Sequence, residues 1–231
     1  MHFMLFSLSA FLLSTIVTIA APPPNAGAVV NLRIEGAQRT IFEGPIFTRG
    51  HNVTTKSGGN HHCDGTNNNE NPKPGPTCTS ALDDASKRKN FSFDGTYFPE
   101  FDDFFITSID GDTQTDTQFW AILLNFQFTP VGGCQQQVKW GDDVLFAFDG
   151  FGRAHYLKLS GPKIARQNRP VALTVTDGET GVAVPGAIVA GQTSNTEGKV
   201  SVTFSNLGIK NLKAEKADSI RSNRLDIHVV Q

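Results

Sequence analysis

The stretch Phe119–Phe128 constrains the fold more than any other part of the chain. Read as a strand, it places Trp120, Ile122, Leu124, Phe126 and Phe128 on one face and Phe119, Ala121 and Leu123 on the other. A strand apolar on both faces has to be covered on both, so it belongs inside a layered domain. The segment expected to cover it is Ala81–Lys89, the one convincing helix. Ser80 is its expected N-cap, with Asp83 as a capping-box variant. Lys87, Arg88 and Lys89 fall in the last turn, where cations match the helix dipole.

Most of the remaining sequence reads as strand. Val30, Leu32 and Ile34 alternate with Asn31, Arg33 and Glu35, the pattern of a half-buried strand. After a turn at Gly36-Ala37-Gln38 the chain returns as Arg39–Glu43. Gly44-Pro45 is expected to break that strand, and a further extended piece runs from Ile46 to about Thr55. Ser57–Thr79 is rich in Gly, Asn and Pro, has no apolar period and reads as a long loop. Further strands are expected at Phe91–Phe93, Phe104–Ile109, Asp143–Phe148 and His155–Leu159, with a tight turn at Asp110-Gly111. The composition shifts at Ser160–Pro170, which reads as a linker. Beyond it Val171–Val175, Ala187–Val189, Val200–Phe204, Asn211–Ala214 and Leu225–Val230 are short strands separated by Gly-containing turns, the pattern of a β-sandwich. A mostly β chain is therefore expected, with domains over residues 28–160 and 170–231.

Met1–Ala20 form a long apolar run without Lys, Arg, Asp or Glu, ending in the small residues Thr18 and Ala20. This is the pattern of a secretory signal peptide removed near Ala20, with an uncleaved membrane anchor as the alternative. The expected product is exported, extracellular or held at the cell surface, with no membrane contact after cleavage. The sequons Asn52-Val53-Thr54 and Asn90-Phe91-Ser92 fit an exported glycoprotein, making Asn52 and Asn90 candidate glycosylation sites. A formal net charge of −2 removes any electrostatic case for nucleic acid.

Two segments resemble known families. Ser80–Ala85, Thr107-Ser108-Ile109-Asp110-Gly111, Phe119–Asn125 and Val138–Phe146 follow one another in an order that resembles the transcobalamin C-terminal-like domain, over about Asn52–Phe151. That resemblance implies a β-grasp-like α+β domain with one main helix. Val175-Thr176-Asp177, Gly181 with Val184–Val189, and Asn195–Lys199 are similar to an immunoglobulin-like repeat of bacterial surface proteins. It implies a small immunoglobulin-like β-sandwich of the spacer or adhesive kind. The cobalamin-binding relatives share their ligand with an all-helical barrel that nothing in this sequence could form, so no cofactor is expected.

The three cysteines Cys63, Cys78 and Cys134 call for one disulfide and one odd thiol in an exported chain. The long loop needs an anchor, and Gly132-Gly133 leave the backbone free to approach Cys134. A β-grasp sheet would also bring the loop before the helix and the connection after the central strand to one side. Cys63–Cys134 is thus the expected pair, with Cys63–Cys78 as the alternative.

No catalytic constellation is present. The sequence has no nucleophile elbow, zinc-protease motif, P-loop or dinucleotide fingerprint. Asp102-Asp103 and Asp142-Asp143 read as solvated turn residues rather than acid/base couples, because neighbours on a strand face opposite ways. Asp110–Asp116 superficially resembles a calcium loop, but Thr115 and Ala121 stand where the EF-hand needs Gly and Glu, so it reads as a hairpin connection. His61, His62 and Asp64 could hold a divalent ion, yet spacing alone supplies no complete ligand set, and no metal is expected. Trp140, before the Gly141-Asp142 turn, is the aromatic residue expected at the surface. The resulting expectation is a secreted, non-catalytic binding or adhesion protein whose partner is an extracellular ligand or a cell-surface polymer. The alternative is an extracellular small-ligand or metal carrier using the His61–Asp64 loop, with His61, His62, Asp64 and Trp140 as the candidate contacts.

Overall fold

A computed structural model describes residues 25–231; the expected signal peptide lies outside them. The first half runs β1 (Ala28–Glu35), β2 (Thr40–Thr48), β3 (His51–Thr55), β4 (Gly59–Cys63), α1 (Cys78–Lys89), β5 (Phe93–Phe98), β6 (Asp103–Ile109), β7 (Asp112–Thr113), β8 (Trp120–Leu124), β9 (Gln127–Phe128) and β10 (Asp143–Phe148). The second half adds β11 (His155–Ser160), β12 (Ile164–Arg166), β13 (Pro170–Asp177), β14 (Ile188–Val189), β15 (Gln192–Thr193), β16 (Lys199–Thr203), β17 (Gly208–Leu212), β18 (Ala214–Glu215), β19 (Ser219–Ile220) and β20 (Leu225–Val230). The protein is mostly β, with α1 as the α-helix among the described residues.

The principal sheet has the order β2-β1-β10-β8-β9. β1 and β10 are parallel, with Leu32 opposite Val144 and Ile34 opposite Phe146, and the other pairs are antiparallel. Its two faces have different partners. Val30, Leu32, Ile34 and Phe146 form one core with Leu82 and Ala85 of α1 and with Ile109 of β6. On the opposite face Ala121, Leu123, Leu145 and Ala147 pack with Tyr156 and Ile220 of the second half. Burying a side chain of this size stabilises by roughly 1.5–3 kcal/mol, so both layers hold the sheet. β8 is indeed covered on both sides, though the helix supplies only one of the covers.

Four expectations are corrected. The chain does not continue as a strand through Phe128: it reverses at Asn125-Phe126, both in the left-handed region (φ 52° and 65°), and β9 returns beside β8. The helix begins three residues early, because Thr77 and not Ser80 is its N-cap. The Thr77 side chain accepts from the Ser80 amide at 3.0 Å, and Ser80 Oγ accepts from the Thr77 amide at 2.8 Å. Gly44-Pro45 does not end β2. As the sheet's edge strand, β2 can carry a residue that lacks an N–H donor. The expected loop from Ser57 begins as a hairpin, with β4 paired to β3 as far as His51 opposite Cys63.

The second half has its own core, which includes Leu159, Leu173, Val175, Val202, Ile227 and Val229. It is built from sheets ordered β16-β13-β11-β19, β12-β20-β17 and β15-β14-β18. The expected linker at Ser160–Pro170 carries the short strand β12 between the end of β11 and the start of β13. β11 pairs with β13 and β12 pairs with β20, so the chain enters these sheets after β10, at Asp149–Ala154.

Candidate functional site

β4 ends at Cys63, which is bonded to Cys134 with their α-carbons 4.5 Å apart, while Cys78 is free and buried. Burial pushes the Cys78 thiol far above its ordinary range. The disulfide fastens the Asp64–Gly75 segment to the Gly132–Gln135 turn, and polar contacts complete the anchorage. The Asp64 carboxylate accepts from the Thr66 amide at 3.0 Å and hydroxyl at 2.6 Å. The buried Asn67 amide donates to the carbonyls of His62 and Asp102, both at 2.8 Å.

Asp102 is the hub of this region, in the left-handed region at φ 49°. Its carboxylate receives the Tyr97 hydroxyl at 2.5 Å, the Asn68 amide at 2.8 Å and His62 Nε2 at 3.0 Å. Burial pushes Asp102 up, but these hydrogen bonds outweigh it and hold the carboxyl below its ordinary range. Burial pushes the Tyr97 hydroxyl up to about 12, with Asp102 reinforcing the shift.

Asp103 faces the other way, into the protein. It is 5% exposed and accepts from the amides of Phe104 (2.7 Å), Cys134 (2.9 Å) and Gln135 (3.2 Å). Burial pushes it up to about 6 in spite of those three donors. The reading of Asp102-Asp103 as solvated turn residues is therefore corrected: Asp102 organises the surface and Asp103 is buried.

Next to this hub lies a groove of about 600 Å³. Phe98, Phe101 and Phe105 line it, with exposures of 37%, 61% and 40%, and the Pro130–Gly132 turn forms the far wall. The rings meet edge-on or tilted, Phe98 lying 6.5 Å from both Phe101 and Phe105. Gly132 is essential to the wall, because a β-carbon there would collide with the Asp103 carboxylate. Asn68 and Glu100 sit on the rim with no side-chain hydrogen bond to another described residue, so their polar groups are available.

The candidate contacts read from sequence divide between sites. His62 lies between two carboxylates, with Nδ1 3.6 Å from Asp64 and Nε2 3.0 Å from Asp102. His61 faces away from it, stacked on Tyr97 at 3.4 Å between centroids, with Nε2 2.9 Å from the Gly58 carbonyl. The two imidazoles, adjacent on β4, do not converge on one ligand. Trp140 is 75% exposed and does not line the groove. Asn52 and Asn90 are both exposed, Asn90 as the left-handed C-cap of α1. The groove phenylalanines and Tyr97 were not singled out from sequence, whereas Asp102 was read as a solvated turn residue and Gly132 as freeing the backbone near Cys134. Their signal is the aromatic crowding of Phe98-Pro99-Glu100-Phe101-Asp102-Asp103-Phe104-Phe105 around a Pro-containing turn.

One other cluster among the described residues could hold a metal: His51, Asp83 and Asp84, whose ligand atoms lie within 4.8 Å of one another. Its groups already satisfy each other. His51 Nε2 is 2.6 Å from Asp83, Nδ1 is 2.8 Å from the Arg49 carbonyl, and Lys87 Nζ is 2.5 Å from the same Asp83 oxygen. Acceptors at both ring nitrogens favour the charged form of His51, which fastens β3 to α1.

Fold and groove together define a mostly β, disulfide-pinned chain with an aromatic surface cleft. A family model described as a domain of unknown function, DUF4430, matches residues 75–150. The matched segment contains α1, Cys134 and all of the groove lining except Asn68. No curated protein matches the chain.

Proposed function

We propose that this chain is an exported, non-catalytic binding protein that seats the apolar face of an extracellular ligand on Phe98, Phe101 and Phe105. The carrying observation is the groove itself, which exposes three aromatic rings in a soluble surface that ordinarily hides them. Flat rings with free polar groups at the rim suit a sugar ring of a cell-surface polymer. Its C–H face stacks on Phe101 while Asn68 and Glu100 meet the hydroxyls. The first half is read as a transcobalamin C-terminal-like domain and the second as an immunoglobulin-like module that presents it. The DUF4430 match supports the first reading, since it covers the same helix-to-strand segment. The disulfide and the exposed sequon asparagines support an exported glycoprotein. Use of the His61–Asp64 segment as a metal carrier has less support, because its two imidazoles diverge and each already has a hydrogen-bond partner.

The test is retention of the purified protein on insoluble polysaccharides, chitin, cellulose and mannan, comparing wild type with Phe101→Ala. Retention on one of them, weakened about tenfold by Phe101→Ala at unchanged thermal stability, supports the reading. Retention indifferent to Phe101→Ala and Phe105→Ala, or none on any of the three polymers, overturns it.

A further inference from the structure

We propose that the cleft between the two halves of the chain is a binding site for a small oxyanion, a carboxylate or phosphate, held by Arg33, Lys158 and Lys163. The cleft has a volume of about 350 Å³ and is walled by β1, β2 and β10 on one side and by the second half on the other. This is the lower end of the range for small-molecule sites.

Arg33 lies on β1 in this wall and is 6% exposed. Its Nη1 donates to the Arg221 carbonyl, and the nearest carboxylate, Glu35, stands 3.8 Å away. Glu35 is already shared by Lys213 at 2.5 Å and Arg221 at 2.8 Å. Nε and Nη2 of Arg33 have no hydrogen-bond acceptor among the described residues. Both nitrogens reach solvent, so an anion entering the cleft can accept from them.

The mouth of the cleft adds positive charge. Lys158 and Lys163 line it, and neither is paired with a carboxylate among the described residues. The two carboxylates that line the cleft, Glu43 and Asp143, each accept a hydrogen bond on one oxygen, while Glu43 Oε2 has no hydrogen-bond donor. Glu43 faces Lys213 at 2.8 Å and accepts from the Arg224 amide at 2.6 Å, while Asp143 accepts from Asn31 at 3.1 Å. Arg224 is itself paired with Asp226 at 2.9 Å.

Phe126 holds the cations in position. The Arg33 guanidinium lies 5.5 Å from its ring centroid and the Lys158 ammonium 5.4 Å. Phe126 keeps a left-handed backbone (φ 65°), a conformation that costs a bulky residue roughly 1–2 kcal/mol. The second half fixes it there, since a β-carbon at Gly178 would run into the Phe126 ring. Conformations of this kind persist where the surroundings over-determine them, as at ligand clamps.

The same oxyanion could come from a free small acid or from an acidic unit of a glycan. Calorimetric titration of the full chain at low ionic strength separates these sources, with inorganic phosphate in one arm, glucuronate in another and glucose as the neutral control. One-site saturation by either anion, absent with glucose and weakened about fivefold by Lys158→Gln or Lys163→Gln, is expected. Phosphate alone points to a phosphate-bearing ligand, and glucuronate alone to an acidic sugar. Both lysines are exposed, so their variants keep the fold, which thermal unfolding verifies. No saturable heat with either anion, or binding indifferent to both lysine variants, overturns the proposal.

Discussion

Arg221 Nε lies 2.8 Å from Glu35 Oε2, joining β1 of the first half to the segment that leads into β20. Glu35 is 1% exposed and also takes Lys213 and the Thr40 hydroxyl, so one carboxylate neutralises cations that the second half brings into the interface. Beside it, Tyr156 and Ile220 close the apolar layer under β8 and β10. Charge and apolar burial thus act together to set the two halves against each other.

Removing Glu35 should consequently cost more than a surface ion pair does. Glu35→Ala leaves Arg221 and Lys213 without their shared partner in a buried setting, a loss of about 3–5 kcal/mol. Urea unfolding measures it. The same variant should speed limited proteolysis at Asp149–Ala154 relative to wild type. A loss below about 1 kcal/mol with unchanged proteolysis would show that the interface does not depend on this carboxylate.

How far these features could be read from sequence depends on the range of the interaction behind each. β1 was legible, because Val30, Leu32 and Ile34 answer to one local period. The reversal at Asn125-Phe126 was not. A two-residue turn with both φ positive prefers Asn-Gly, and a phenylalanine in the second place continues the apolar run instead of interrupting it. The helix start was misplaced by three residues, because Ser80 fits a local N-cap pattern whereas its hydroxyl in fact serves Thr77. Pro45 reads as a breaker only until β2 is known to be an edge strand. For the candidate site, His62 and Asp64 were visible as residue types, but their relation to Asp102 depends on β5 and β6 folding beside β4. Nothing within the His61–Asp64 segment encodes that contact.

The His51–Asp83 pair predicts a pH dependence above about 6.5. The hydrogen bond to Asp83 raises the His51 pKa above 6.5, so its stabilisation is fully present below that pH and is lost as pH rises through the folded-state value. Burial pushes Asp83 up, but the hydrogen bonds from His51 and Lys87 hold it below 3.8, so its part is lost only as pH falls through that lowered value. The stability difference between wild type and His51→Gln should be about 1–2 kcal/mol between pH 4 and 6.5 and should shrink above it. A difference that stays constant from pH 5 to 9, measured by denaturant unfolding, would mean that His51 is not held as an imidazolium.

Asp103, at the back of the groove, predicts a slope of the same sign in the acid range. Its folded pKa, about 6, lies above the ordinary 3.8, so between these values the folded protein binds more protons than the unfolded chain. The Asp103 contribution to stability therefore falls as pH rises from about 4 to 6, by about 3 kcal/mol in all, and is constant above. Asp83, Asp102 and Asp177 are shifted downward and act with the opposite sign at lower pH, so total stability alone does not isolate it. The quantity to measure is the stability of wild type minus that of Asp103→Asn, at intervals from pH 4 to 7. Asparagine turns an amide toward the backbone donors of Cys134 and Gln135, so the variant is less stable throughout, but it carries no titrating group. The wild-type advantage should shrink as pH rises to 6, whereas Glu100→Gln, on the exposed rim, should leave the slope unchanged. An advantage that is flat or grows across that interval would mean the three backbone amides outweigh burial and keep Asp103 ionised.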